Sequence, residues 1–478
     1  MATDQRQEIR PDICVIGAGT GGLAAASAAA AFGVNVVLIE KARLGGEAQV
    51  GGALAANALV AAAARANTLR SGARFGVKRA RTTIDFAAVR GHVRDVIAAA
   101  APEESRERCN GLGVRVIAGE GRFRDAETVA VNGVDVKARR FVIATGSSPA
   151  RPAIAGLAET PHLTSATVFD LAECPQHLIV IGAGSTGLEL AQAFRRLGAE
   201  VTVLERATPL SDDDAECAAA VLDALGREGV TLRSGVEVTA VRRALARVQV
   251  DIVSAAGAET IEGSHVLVAA GRRPNLENLD LDAAGIRYGP DGIVVDRGLR
   301  TSNKRVYAIG DVTAGPKLGH LARHQGGLVV RHALFRLPVN AERLIVPRVT
   351  YTDPELAQVG LIEDQARART GVIRVLRSPY RDNHRARAAG ATNGHVKIVT
   401  DRRGAILGAT IVGAAAAENI AAWTLAIDQR LNIDAVAGVI VPYPTYAEVG
   451  KRAAMTYFRR GLTSPLVRRI IGWLRRFG

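Results

Sequence analysis

The first apolar run of the chain is Ile13-Cys14-Val15-Ile16, with Asp12 before it and a glycine after it. A short run of this kind, cut off by a turn residue, predicts a buried strand. The period then changes. Gly17-Ala18-Gly19-Thr20-Gly21-Gly22-Leu23 opens an alanine-rich helical pattern, and a second run, Asn35-Val36-Val37-Leu38-Ile39, ends in Glu40. The same succession returns later in the chain. His177-Leu178-Ile179-Val180-Ile181 leads to Gly182-Ala183-Gly184-Ser185-Thr186-Gly187, a helix through Leu197, and Val201-Thr202-Val203-Leu204 ending in Glu205. Each copy reads strand, glycine turn, helix, strand, acid. No other long repeat and no low-complexity linker is present, and residues 77–121 alternate helix-like and strand-like patterns.

One G-x-G-x-x-G can be a glycine turn that holds nothing. Two copies in the same strand and acid context point to two dinucleotide sites, on Gly17, Gly19 and Gly22 and on Gly182, Gly184 and Gly187. Such glycines permit a tight turn and close backbone approach to a pyrophosphate seated on the helix N-terminus. Glu40 and Glu205 each stand 23 residues after the first glycine, placed to accept hydrogen bonds from a ribose diol. A carboxylate at Glu205 repels a 2′-phosphate and favours NADH, while the adjacent Arg206 leaves NADPH open.

Length and composition change this picture little. A chain of 478 residues predicts roughly two to four domains, and 48% hydrophobic with 23% charged residues is ordinary for a soluble protein. The polar opening residues 1–12 and the lack of a long apolar run predict a cytoplasmic protein. The net charge of +14 is local: residues 451–478 hold eight basic side chains and no acidic one, which argues against a nucleic-acid surface. After Pro465, Leu466, Val467, Ile470, Ile471, Leu474 and Phe477 recur at helical spacing between Arg468, Arg469, Arg475 and Arg476. This basic amphipathic tail, residues 463–478, either lies on the anionic inner face of a membrane or docks on its own dimer. Cys14, Cys109, Cys174 and Cys217 fit no metal or redox spacing, and His320 and His324 have no nearby third ligand, so no metal is expected.

Further segments carry a family resemblance. They are Phe141-Val142-Ile143-Ala144-Thr145-Gly146-Ser147-Ser148, Leu267-Val268-Ala269-Ala270-Gly271-Arg272-Arg273-Pro274-Asn275, Val306-Tyr307-Ala308-Ile309-Gly310-Asp311 and Leu318-Gly319-His320-Leu321-Ala322. With Val346-Pro347-Arg348-Val349-Thr350-Tyr351-Thr352-Asp353-Pro354-Glu355, they resemble the pyridine nucleotide–disulfide oxidoreductases over nearly the whole chain, on the mercuric reductase and dihydrolipoamide dehydrogenase side. The resemblance implies an α/β protein with two Rossmann-like dinucleotide-binding domains, the NAD(P)H domain inserted in the FAD domain, and a C-terminal α+β dimerisation domain. The expected divisions are 1–150 and 273–344 for FAD, 151–272 for NAD(P)H, 345–462 for dimerisation, then the tail. FAD is expected on Gly17, Gly19, Gly22, Glu40, Gly46, Ala144, Thr145, Gly146, Gly310, Asp311 and Ala322. NADH is expected on Gly182, Gly184, Gly187, Glu205 and Gly271. A homodimer in which two subunits build each active site is also implied.

The departures fall on the chemical residues. Where the family carries a redox-active Cys-x4-Cys pair, this sequence has Ala48 and Ala53, and Asn57 replaces the lysine that follows. In relatives that lysine pairs with a glutamate that maps to Glu189, which is expected here to sit unpaired or hydrogen-bonded only, or else to shift to Ser147, Asn57 or water. Tyr443 stands in place of the general acid/base histidine, with Glu448 at its orienting carboxylate. A phenol does not trade protons at neutral pH as an imidazole does, yet it can hydrogen-bond a carbonyl or stack on a planar acceptor. Filling space at the dimer interface is an equal reading of Tyr443. Asn383-His384-Arg385 either reaches the active site or lies on the surface. The expected function is an FAD-dependent NAD(P)H oxidoreductase that passes electrons to a non-disulfide acceptor such as a quinone, oxygen or another small molecule. The alternative is a degenerate FAD- and NAD-binding paralogue serving as a sensor or partner subunit. Lipoamide or mercuric chemistry by the family route is not expected.

Overall fold

The computed structural model describes residues 7–46, 52–78, 83–245, 247–458 and 465–477. Its first unit is a five-stranded parallel sheet in the order Val306–Ala308, Arg140–Ile143, Ile13–Ile16, Val36–Glu40, Val114–Ala118. Alternation along the strands decides what lies on each face. Ile13 and Val15 pack against the helices Thr20–Ala30 and Gly319–Phe335, while Cys14 and Ile16 face a layer that includes Phe123, Val129 and Val136. That layer belongs to a small sheet of Gln7–Ile9, Val134–Val136, Val129–Val131 and Arg122–Phe123. Because Val306–Ala308 pairs with Arg140–Ile143, the first unit is completed only after the second has been built.

The second unit repeats the plan. Its parallel sheet runs Leu163–Thr164, His265–Val268, His177–Ile181, Glu200–Glu205, Thr231–Ser234, with the helix Ser185–Leu197 crossing over. An antiparallel meander of Glu237–Ala244, Arg247–Ser254 and Gly257–Gly263 covers the other face through Val241, Val250 and Ile252. The chain leaves and re-enters the first unit through a neck in which Ser147–Pro149 pairs antiparallel with Arg272–Pro274. Asn275 seals this neck: its amide donates to the Thr145 carbonyl at 2.9 Å, and Thr145 Oγ1 donates to the Asn275 carbonyl at 2.8 Å.

The third unit is a five-stranded antiparallel sheet, Arg348–Thr350, Glu355–Gly360, Ile406–Gly413, His395–Asp401, Ile373–Pro379. The helices Ala416–Asp428 and Ala447–Met455 pack on one face around Trp423, Val396 and Ile398. Lys397, between those two core residues, points the other way and meets Asp214 Oδ2 at 2.8 Å in the second unit. The last described helix, Pro465–Leu474, is exposed along Arg468–Leu474. No helix among the described residues is long and apolar enough to cross a membrane.

Candidate functional site

The two glycine turns have nearly the same geometry. Gly17 has φ +100° and Gly182 φ +109°, and a Cβ there would stand 2.4 Å from the Ala144 carbonyl oxygen and 2.5 Å from that of Ala269. Gly22 and Gly187 press against the turn itself: an added Cβ would lie 1.9 Å and 2.1 Å from the carbonyl oxygens of Gly17 and Gly182. The middle glycines differ in kind. Gly19 and Gly184 face open space and cap the helices Thr20–Ala30 and Ser185–Leu197 without a side-chain bond. The first N–H groups of each helix are thus free of a side-chain cap and suited to a pyrophosphate. Both cradles fit a dinucleotide.

The two acids brace these turns as well as closing their strands. Glu40 accepts from the Ala18 N–H at 2.6 Å and the Ala42 N–H at 2.8 Å. Glu205 accepts from the Ala183 and Ala207 N–H groups, both at 2.8 Å. Each carboxylate therefore ties the turn to the end of the second strand, with lone pairs left over for a ribose hydroxyl. Gly46 lies against the first cradle, its would-be Cβ 3.1 Å from Gly19 Cα. Ala322 packs under Gly310 and against Gly21, close enough that a Cβ on Gly310 would meet its methyl at 2.8 Å. Gly146 has φ +70° at the neck, and Gly271 has φ +98° and faces open space. Asp311 accepts from Ser147 Oγ at 2.6 Å, and Ser147 in turn accepts from Arg272 Nε at 2.7 Å. Ser147 is thus engaged with Asp311. Buried Gln325, which accepts from the Gly310 N–H at 2.7 Å, and Lys317, which donates to the Asp311 carbonyl at 2.8 Å, hold the same loop. Both lie in stretches where periodicity marks only a helix and its approach.

Residues 11–326 match the family model of pyridine nucleotide-disulphide oxidoreductases, and residues 346–454 match that family's dimerisation domain. The chain belongs to the pyridine nucleotide-disulphide oxidoreductase family. It is 34% identical to a mercuric reductase of Streptomyces lividans over 455 residues, covering 93% of this chain and 96% of that one. It is likewise 34% identical to a dihydrolipoyl dehydrogenase of Geobacillus stearothermophilus over 464 residues, with the same coverage of 93% and 96%. Among solved structures, the HOCl-induced flavoprotein disulfide reductase RclA from Escherichia coli superposes with a TM-score of 0.83 at 26% identity, covering 93% of this chain and 99% of that one. The protein is therefore an FAD- and NAD(P)H-dependent oxidoreductase, and its dimerisation domain makes it a homodimer.

The positions where family chemistry is expected hold other contacts. Ala53 is the exposed first residue of the helix Ala53–Ser71, and Ala48 lies outside the described residues. Asn57 donates to the Ala53 carbonyl at 2.8 Å, one turn back along its own helix. Glu189, only 8% exposed, accepts instead from the Tyr351 N–H at 2.8 Å. The expectation of Ser147 or Asn57 as its partner is corrected: Ser147 serves Asp311, and Asn57 serves its own helix. Burial pushes the Glu189 carboxyl up to about 7, partly offset by the Tyr351 N–H.

Tyr443 is 70% exposed, and its hydroxyl lies 3.0 Å from His384 Nδ1, the two rings meeting edge to face. Glu448 accepts from the Thr445 N–H at 3.4 Å, two residues after Tyr443. His384 thus comes to Tyr443, although nothing in either local sequence links them. None of the four cysteines offers a ready nucleophile. All are free, and burial pushes each thiol up, Cys14 and Cys217 most strongly. His320 directs a ring nitrogen to the Pro347 carbonyl at 3.0 Å.

Proposed function

We propose that this protein is an NAD(P)H dehydrogenase of the family that works without a redox-active disulfide and delivers electrons to a small non-disulfide acceptor, a quinone foremost. The observation that carries this reading is the head of the helix Ala53–Ser71, where alanine and an Asn57 bonded to its own helix backbone replace thiol and cation, combined with four thiols raised by burial. Bound FAD supplies a two-electron relay between nicotinamide and second substrate. The chain's own residues hold the two cofactors by their pyrophosphates and riboses, and keep Glu189 buried on the helix that starts the second cradle. Glu205 favours NADH, and Arg206, exposed beside it, tempers that preference.

Anaerobic titration of the purified holoprotein with NADH, followed by turnover with menadione, ferricyanide, lipoamide and Hg(II), tests this reading. The expected result is bleaching of the flavin band and turnover with the first two acceptors only. Efficient turnover of lipoamide or Hg(II) overturns the thiol-free assignment. An unbleached flavin instead supports a cofactor-binding sensor or partner subunit.

The tail has its own reading. Ile470, Ile471, Trp473, Leu474 and Phe477 are all exposed, with arginines between them. An isolated helix of ten residues is marginal in water, so an apolar, negatively charged surface is the setting that stabilises this one. We read it as a contact with an anionic membrane. Cosedimentation with phosphatidylglycerol vesicles, lost on deletion of residues 463–478, is the expected outcome; unchanged binding refutes it.

A further inference from the structure

The C-terminal domain has an imidazole in reach of Tyr443, placed by a different segment. His384 begins the short helix His384–Ala389, and Tyr443 lies 59 residues later in the turn before the helix Ala447–Met455. Buried Asn383 joins the two segments. Its Oδ1 accepts from the Ala386 N–H at 2.9 Å, fixing the start of the helix, and its Nδ2 donates to the Thr445 carbonyl at 2.9 Å, fixing the turn. Asn383 is 1% exposed, so both bonds are shielded from competing water. Arg452 adds a bond to the Asp382 carbonyl, and Arg74 Nη1 donates to the Gly390 carbonyl at 2.7 Å, tying the far end of the helix to the first unit. The pair is held from both sides, yet His384 and Tyr443 remain open to solvent.

We propose that His384 acts through Tyr443 to supply the proton that a quinone-type carbonyl acceptor takes up on reduction. The proposal rests on the thiol-free dehydrogenase reading and takes Tyr443 of one subunit to face the acceptor. The overall step is balanced: NADH, one proton and a quinone give NAD⁺ and a hydroquinone. The electron pair and one hydrogen originate in the nicotinamide. For the other hydrogen, the Tyr443 O–H bond breaks as the new O–H on the acceptor forms. The Nδ1–H of the protonated His384 ring breaks in turn as the Tyr443 hydroxyl is restored. Solvent then reprotonates the exposed ring. Asn383 is a positioning residue for this relay, since it touches neither the acceptor nor the proton. An imidazole is thereby restored to the site at one remove, from a segment that pairs with the phenol instead of replacing it.

The test compares His384→Ala and Tyr443→Phe with the wild type as dimeric holoproteins. Menadione needs protons as well as electrons, whereas ferricyanide takes electrons alone. The ratio of menadione to ferricyanide turnover is expected to fall at least about tenfold in each variant, in line with the loss of a general acid. Free imidazole in the medium should restore the ratio for His384→Ala and not for Tyr443→Phe, a rescue that a structural role does not produce. Independently of turnover, the ¹⁵N resonance of His384 Nδ1 should move in Tyr443→Phe as its hydrogen bond is lost. A preserved acceptor ratio, or a lowered one that imidazole does not restore, overturns the relay while the dehydrogenase reading stands. Failure of NADH to bleach the wild-type flavin overturns the dehydrogenase reading and the relay with it.

Discussion

Glu189 shows what a single side chain can be made to do by its surroundings. Its carboxyl lies on the buried side of the helix Ser185–Leu197 with one backbone N–H for company, and burial raises it from 4.5 to about 7. A carboxyl whose folded-state value is raised favours the protonated form on folding. Its contribution to stability is therefore complete below about pH 4.5 and is lost as pH rises through 7. A shift of this size corresponds to a loss on the order of 3 kcal/mol. Glu189→Gln keeps the acceptor oxygen for Tyr351 and cannot ionise. Urea unfolding of the variant should show a gain over wild type that is small at pH 5 and grows by about 2–3 kcal/mol by pH 8. A difference that stays flat over that interval contradicts the burial argument.

At the scale of elements, the same helix explains why Glu189 is where it is. Ser185, Glu189, Gln192 and Arg196 recur along one face at helical spacing, and each bonds the first segment of the third unit. Ser185 Oγ meets Thr350 Oγ1 at 2.7 Å, Gln192 accepts from the Asp353 N–H at 2.7 Å and donates to the Asp353 carbonyl at 2.9 Å, and Arg196 donates to Asp353 Oδ2 at 2.8 Å. Glu189, Gln192 and Arg196 on this stripe are buried, whereas amphipathicity alone assigns burial to apolar stripes. Gln192→Ala should therefore cost about 1–2 kcal/mol in urea unfolding, because the buried amide's bonds to both backbone groups of Asp353 are lost together. A cost within error of zero means water replaces the amide freely. Other elements are legible as local patterns: both glycine turns, both acid-terminated strands and the neck segments. Contacts made only by folding are not. Tyr351 donates to Glu189 from 162 positions away, and His384 reaches Tyr443 across 59. Even the acids were half-read, since their bonds to Ala18 and Ala183 precede any ribose.

For the whole molecule, the stretch that leads to Tyr443 leaves large apolar side chains uncovered within one chain. Val439 and Tyr443 are exposed, and Ile440 is 93% exposed. Contiguous apolar exposure of this kind marks an interface, and these residues lie in the domain that matches the family's dimerisation unit. In a two-fold dimer each substitution acts twice. Covering one isoleucine side chain is worth about 1.5–3 kcal/mol, so losing two lowers dimer affinity by roughly 4 kcal/mol, or about a thousandfold, before any cost of burying charge. Ile440→Glu should accordingly sediment as a monomer at micromolar concentration, where the wild type sediments as a dimer. Flavin absorbance travelling with the monomer shows that the first cradle, with its own core around Ile13 and Val15, has kept its fold. The monomer should also lose menadione turnover more than ferricyanide turnover, because it separates Tyr443 and His384 from the partner subunit they are to serve. An Ile440→Glu protein that remains dimeric on dilution places the interface elsewhere and removes the geometric basis for that loss.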